Sequence, residues 1–297
     1  MDVVDLFSGC GGLSLGFKNA GFKLTAAYDF WAPAVKVYKK NFTDHEIYQM
    51  DLSKVNEAVP HIRQFHPEMI IGGPPCQDFS HAGKRQEGQR ASLTESYAQI
   101  VTNIMPEWFV MENVDRAEKS NSYARARELF KNAGYGLTEH VYDASLCGVP
   151  QKRKRFICVG HLNDNDGFLT GIINKNTSTK PMTVRDYFGD SLGIEYYYRH
   201  PRNYTRRAIF SIDEPSPTIR GVNRPVPSSY VKNPNDPVGP ENIRPLTTME
   251  RAQIQTFPKN FIFDGCKTDL EQIIGNAVPV RLGEFVANCI QEYINGK

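Results

Sequence analysis

The chain has 297 residues, enough for one large domain or one domain with a smaller lobe. Its 40% hydrophobic and 23% charged residues are ordinary for a soluble globular protein, and no stretch approaches the roughly 20 apolar residues that span a bilayer. A formal net charge of +2 excludes a strongly basic or acidic chain, so a polyanionic partner has to be sought in local patches.

From Met1 to Asp5 there is no basic segment, and the chain runs straight into an apolar strand. No secretory leader is therefore expected, and the cytoplasm is the expected compartment. The first 160 or so residues alternate short apolar runs with helical stretches, the pattern of an α/β protein with a mainly parallel sheet. Strands are predicted at 3–7, 23–28, 46–50, 69–72, 108–111, 138–142 and 156–160. Helices are predicted at 13–19, 32–41, 96–105 and 122–133, with Gly21 and Gly134 at C-cap positions. Between Pro201 and Pro245 lie nine of the 19 prolines, which predicts a loop-rich lobe with short strands. Helical periodicity returns at 249–255 and 279–293.

Ligands of open parallel sheets bind outside the carboxyl ends of the strands. The first strand runs into Phe7-Ser8-Gly9-Cys10-Gly11-Gly12, a glycine-rich turn that opens a helix. Ser14 breaks the G-x-G-x-x-G spacing, which disfavours a pyrophosphate site. The second strand ends in Asp29, 20 residues after Gly9, where an acid accepts ribose hydroxyls, and the third in Asp51-Leu52, suited to an adenine amino group. A turn or a cap is the plainer account of each alone. Together they predict a nucleoside-bearing cofactor.

The fourth strand ends in Gly73-Pro74-Pro75-Cys76-Gln77, followed by a polar segment, 80–94, that reads as a mobile loop. Six cysteines are scattered without a C-x-x-C pair, so neither a metal site nor a disulfide framework is expected. Cys76, just beyond a strand, is placed for reaction; a thiol of ordinary pKa, about 8.5, would need help to ionise at neutral pH. The fifth strand delivers Glu112-Asn113-Val114, an acid that is costly to bury unless it hydrogen-bonds or keeps its proton. The basic run 151–155 precedes its strand. It reaches the same crevice only if that strand runs antiparallel, and otherwise is a solvated face. From Arg199 to Lys232, seven Lys/Arg stand against Asp213 and Glu214, either a phosphate-binding stripe or again a solvated face.

With these residues named, the chain resembles the DNA (cytosine-5)-methyltransferases. The matching blocks are Asp5-Leu6-Phe7-Ser8-Gly9-Cys10-Gly11-Gly12, Tyr28-Asp29-Phe30, Asp51-Leu52, Gly73-Pro74-Pro75-Cys76-Gln77 and Glu112-Asn113-Val114. Further on come Gln151-x-Arg153-x-Arg155, Arg244-Pro245-Leu246-Thr247-x-x-Glu250 and Gly275-Asn276-Ala277-Val278-Pro279, with Thr218-Ile219 at the Thr-aliphatic dipeptide of the target-recognition region. The resemblance implies an α/β fold: the Rossmann-like, mainly parallel sheet of S-adenosylmethionine-dependent methyltransferases with an antiparallel last strand, plus a smaller loop-rich target-recognition lobe. It divides the chain into a catalytic domain, 1–188 with 272–297, and a recognition domain, 189–271. Cys76, Glu112, Arg153 and Arg155 are implied as catalytic. Phe7, Gly9, Cys10, Gly11, Gly12, Asp29, Phe30, Asp51, Leu52, Pro74, Leu93, Asn276 and Val278 are implied to hold S-adenosyl-L-methionine. Ser80, Arg90, Thr218, Arg220, Asn223 and Arg224 are the candidates for contact with double-stranded DNA.

The implied protein is a monomer with no membrane partner, acting at the nucleoid of a prokaryote or phage-infected cell, with a cognate restriction endonuclease as a candidate partner. Three departures are Cys10 at a variable position, Asp29 where many relatives carry Glu, and Gly88-Gln89-Arg90 where an Asp often precedes the Arg. A tRNA cytosine methyltransferase of the same fold is disfavoured by the lack of a Cys-Phe-Thr tripeptide. A non-catalytic DNA-binding relative is disfavoured by Cys76 and Glu112, and a nicotinamide oxidoreductase by the broken glycine pattern.

Overall fold

The computed structural model describes residues 1–75, 92–203 and 205–296. Cys76, Ser80 and Arg90 lie outside the described residues. The first half winds as β1 (Asp2–Leu6), α1 (Gly12–Asn19), β2 (Lys23–Asp29), α2 (Ala32–Asn41), β3 (Glu46–Gln49), α3 (Val55–Arg63), β4 (Met69–Gly72), α4 (Leu93–Ile104), β5 (Trp108–Val114) and α5 (Asn121–Asn132). Then come β6 (Tyr135–Asp143), β7 (Gln151–Lys152) and β8 (Lys154–Leu162), followed by α6 (Thr170–Asn176) and α7 (Val184–Phe188). The lobe contributes β9 (Tyr196–Tyr198), β10 (Ile209–Ser211) and β11 (Ser216–Pro217), and the chain closes with α8 (Thr248–Ile254), α9 (Lys267–Asn276) and α10 (Val280–Asn295).

The main sheet has the order β3-β2-β1-β4-β5-β8-β6. β1 to β5 run parallel, and β8 lies antiparallel between β5 and β6. The strand predicted to reverse does so, although it is last in sequence rather than at the sheet's edge. Both faces are covered, and strand side chains divide between two cores with a period of two. Val3, Met69, Trp108 and Val110 face the core shared with α1, α6 and α10. Val4, Leu6, Ile70 and Phe109 face the core of α3, α4 and α5. No helix among the described residues is long and apolar enough to cross a membrane.

Gly21 and Gly134 take φ of +90° and +89° just past α1 and α5, the left-handed conformation that closes a helix. Four helices, α3, α6, α7 and α9, went unpredicted. α3 carries Pro60 in its interior and has no side-chain cap, and α9 is capped by the sulfur of Cys266. Neither shows the start signals that mark a helix in sequence.

The lobe is loop-rich as expected, with β9 and β10 pairing as a short antiparallel ribbon. Its apolar residues Tyr197, Phe210, Ile219 and Leu246 share a third core with Val35 and Tyr38 of α2 and Ile273 of α9. The expected domain boundary at 271/272 falls within α9. The Arg244…Glu250 block is a helix start. Thr247 and Glu250 form a capping box at α8, and Arg244 grips the Glu250 carboxylate with two bonds of 2.7 Å.

Candidate active site

The strand order reverses between β1 and β4, and a cavity of about 520 Å³ opens there at the carboxyl ends of the strands. Its floor is the turn after β1. Asp29, at the end of β2, accepts from the Gly9 amide at 2.8 Å and from the Trp31 amide at 2.8 Å. Burial raises its carboxyl above the usual range, and those amides pull the other way. Phe30 next to it leaves 69% of its surface exposed at the cavity, an open ring face for a stacked base. Asp51, after β3, holds Ser53 with bonds of 3.0 Å to its amide and 2.7 Å to its hydroxyl, and Leu52 is buried beside it.

Cys10, Gly12, Leu93, Asn276 and Val278 complete the expected lining. Gly11 caps α1 instead of lining the cavity, and Pro75 takes the place expected of Pro74. Pro74 is buried, and its carbonyl accepts from Asn113 Nδ2 at 3.0 Å. Asn113 thereby ties the turn that leads into Cys76 to the end of β5.

Asp5 was not expected. It sits within β1 rather than at its end, so it reads as a strand residue. Its carboxylate accepts from the Ser14 hydroxyl, and burial pushes it up to about 8. Asp5, Asp29, Asp51 and Glu112 all line the cavity, and no lysine or arginine does among the described residues. Burial favours the protonated forms of Asp5 and Glu112, and the carboxylates of Asp29 and Asp51 still disfavour a pyrophosphate and suit a cationic ligand. An adenosine carrying a sulfonium and an ammonium fits this set: a ring face at Phe30, an acid at the ribose position, and further acidic side chains elsewhere.

Glu112 also meets a residue that opens onto a second space. On the antiparallel pair β5/β8 it stands opposite Ile157, with Arg155 two residues along, so the two side chains are diagonal neighbours on one face. Arg155 Nε lies 2.8 Å from Glu112 Oε1, both side chains nearly buried. Burial raises the Glu112 carboxyl, against the opposing pull of Arg155. Burial likewise lowers the Arg155 guanidinium. Gly73 leaves the room: a Cβ there would come within 3.0 Å of Glu112 Oε2.

Arg155 in turn lines a cleft of about 560 Å³ with Lys152, Lys154, Arg199, Arg202, Arg206 and Arg220. Arg199 is pushed down to about 10 by burial and by Arg220, the mark of a cationic cluster that an anion would relieve. Thr218 lines the same cleft. Arg224 is exposed, and its charge is felt at His200 beside Arg220.

Asn223 points into the protein, donating to the Leu246 carbonyl at 2.9 Å and to Glu271 at 3.1 Å. Arg153 is almost wholly buried and bonds backbone carbonyls. Among the described cysteines, Cys10, Cys147, Cys158 and Cys289 are buried, with thiols pushed up to about 12, where a thiolate is scarce.

The fold is that of S-adenosylmethionine-dependent methyltransferases. The solved S. pombe Dnmt2 methyltransferase superposes with a TM-score of 0.72 over 99% of each chain at 17% identity, a likeness of fold alone. A family model described as C-5 cytosine-specific DNA methylase matches residues 1–292, and the chain belongs to that family. Its activity is that of a DNA (cytosine-5)-methyltransferase, and family and fold together imply S-adenosylmethionine as methyl donor. It is 59% identical over 293 residues to the Type II methyltransferase M.HindV of Haemophilus influenzae, covering 98% of this chain and 96% of that protein. It is 53% identical over 296 residues to the Type II methyltransferase M.HgiDI of Herpetosiphon aurantiacus, covering 99% and 96%.

Proposed function

We propose that the enzyme methylates carbon 5 of a cytosine flipped out of a specific short duplex sequence, through a covalent bond between Cys76 and C6 of the base. The observation that carries this reading is the meeting of an acidic cavity and a basic cleft at the Glu112–Arg155 pair. C6 is inaccessible in a stacked duplex, so the base has to leave the helix and enter between the two spaces.

The Cys76 thiolate adds to C6, and the electron pair displaced from the C5–C6 bond makes C5 nucleophilic. Glu112, whose burial favours the protonated carboxyl, gives its proton to N3 and removes the charge that the addition creates. Arg155 holds Glu112 and reaches for O2 of the base. S-adenosylmethionine, held in the acidic cavity, would supply the methyl group to C5 and leave as S-adenosylhomocysteine. Loss of the C5 proton to a base then restores the double bond and expels Cys76, and N3 returns its proton to Glu112.

Asp29 would accept from the ribose hydroxyls, Phe30 stack on the adenine and Asp51 accept from its amino group. Asn276 and Val278 would form the facing wall. Thr218, Arg220 and Arg224, with the cleft's lysines and arginines, would contact the duplex, the recognition lobe being 189–271. The two Type II relatives favour a role as the modification partner of a restriction endonuclease, and the enzyme would act as a monomer in the cytoplasm.

The test is DNA in which 5-fluorocytosine replaces cytosine. Fluorine at C5 blocks the final elimination, so wild-type protein should form an adduct that survives denaturing electrophoresis. Cys76→Ser should bind the DNA without forming it. Wild-type protein that binds both DNA and cofactor yet forms no adduct would refute the mechanism. RNA offered in parallel as methyl acceptor separates a tRNA methyltransferase.

A further inference from the structure

The cofactor cavity and the recognition lobe meet at a buried polar knot that neither catalysis nor DNA contact accounts for. Gln151, Arg153 and Gln255 are at most 1% exposed. Arg153 donates to the Ile219 carbonyl at 3.0 Å and to the Gly275 and Ala277 carbonyls at 3.1 Å each. Gln151 accepts from the Ile219 amide at 2.8 Å and donates to Gln255 at 2.7 Å. Gln255 donates to the Ile274 carbonyl at 2.7 Å and to the Ala277 carbonyl at 3.1 Å.

The positions of these partners matter. Ile219 follows Thr218 and precedes Arg220, the residues that line the basic cleft. Gly275 and Ala277 flank Asn276, which lines the acidic cavity. The two backbones touch directly: a Cβ on Gly275 would lie 2.2 Å from the Gly221 nitrogen. One guanidinium therefore grips the DNA-facing segment with one hand and the cofactor-facing wall with the other.

This grip is costly. A guanidinium with almost no exposure gives up its hydration, and here neutral carbonyls replace it, while its Nε has no partner among the described residues. Two of those carbonyls are the free end of α9, where a cation is favoured. An apolar side chain would fill the space more cheaply, so stability alone does not explain an arginine.

We propose that Arg153 is a positioning residue that joins the cofactor wall 276–278 to the recognition segment 218–221, so that bound cofactor and bound duplex each favour the other. The inference rests on the function proposed above, which assigns those two segments to cofactor and DNA. Binding that fixes one segment orders the other through Arg153, and by linkage the effect is reciprocal.

The experiment measures the dissociation constant of S-adenosylhomocysteine with and without a duplex carrying the sequence that bisulfite sequencing shows to be methylated. In the wild type the duplex should tighten it at least about fivefold. In Arg153→Lys, whose single ammonium cannot span both backbones, the factor should fall to within about twofold of unity. KM for cofactor and for DNA should both rise, with kcat at saturation changed less than about threefold, since Arg153 touches no reacting atom. A merely structural role would lower the active fraction, hence the apparent kcat, and leave both KM values alone. Gln151→Met, which removes only the Ile219 amide bond and the Gln255 bond, should weaken the coupling in the same direction and covers failure of the lysine variant to fold. Wild-type coupling retained in folded Arg153→Lys or Gln151→Met overturns the proposal, as does a wild type that binds both ligands without coupling. A wild type that binds neither removes the proposed function, and this inference with it.

Discussion

Replacing Glu112 with Gln separates its chemical from its structural contribution. Glutamine keeps the shape and an acceptor oxygen, so the 2.8 Å contact from Arg155 Nε survives as a hydrogen bond with the charge on the arginine alone. What disappears is the carboxylate's part of the charge assistance, worth at most about 1–1.5 kcal/mol, the difference between charged and neutral hydrogen bonds. The removed desolvation of a buried carboxylate offsets part of that. A net loss of about 1 kcal/mol would lower Tm by roughly 1.5–2 °C in a protein of this size. The catalytic loss should be larger: a positioned acid contributes about 100- to 10,000-fold, or roughly 3–5 kcal/mol of barrier.

The pH dependence has a definite sign. Burial raises the folded pKa of Glu112, so its proton stabilises the fold below the ordinary carboxylate range, and that contribution is lost as pH rises through the raised value. The acid form that the proposed mechanism requires at N3 is lost over the same interval. Wild-type kcat should fall with rising pH on that limb, and Glu112→Gln should lack the limb. Methyl transfer from labelled S-adenosylmethionine to DNA, measured across pH with thermal unfolding of the same samples, reads both effects. A variant within about threefold of wild-type kcat, or one whose loss matches its unfolded fraction, refutes the role given to Glu112.

Two further outcomes are expected. Arg202→Ala and Arg206→Ala remove exposed cleft arginines, and each should weaken binding to all duplexes alike and reduce the slope of log K against log salt by about 0.9, checked by fluorescence anisotropy at several salt concentrations. Glu271→Leu strands Arg251, its almost fully buried partner, and should cost about 3–5 kcal/mol in thermal unfolding, whereas Arg251→Met with Glu271→Leu should recover most of it; a single variant as stable as the double would contradict this.

What the sequence made legible is what local rules govern. Asp29, Asp51 and Glu112 were readable because each closes a short apolar run, and a strand end in an open sheet is where ligands lie. The reversed strand was readable because the basic run precedes its strand and a short connection from β6 allows a hairpin. Arg153 and Arg155 show where such rules stop. Two residues apart, they read as one face of one strand, and both were expected at the base. The strand is interrupted at Arg153, between β7 and β8, because β7 pairs with β11 of the lobe while β8 joins the main sheet. The break sends one arginine to Glu112 and the other to Ile219 and Gly275, partners 66 and 122 residues away.

Asn223 differs from its expected role for the same reason. Its residue type suits a base edge, but Leu246 and Glu271, distant in sequence, take up its amide. Local pattern therefore marks the candidate groups, and long-range pairing decides where each of two similar side chains is placed. In this enzyme that decision separates the two cavities. Glu112 lines the acidic one and Arg155 the basic one, and the 2.8 Å contact between their side chains is where the two spaces meet.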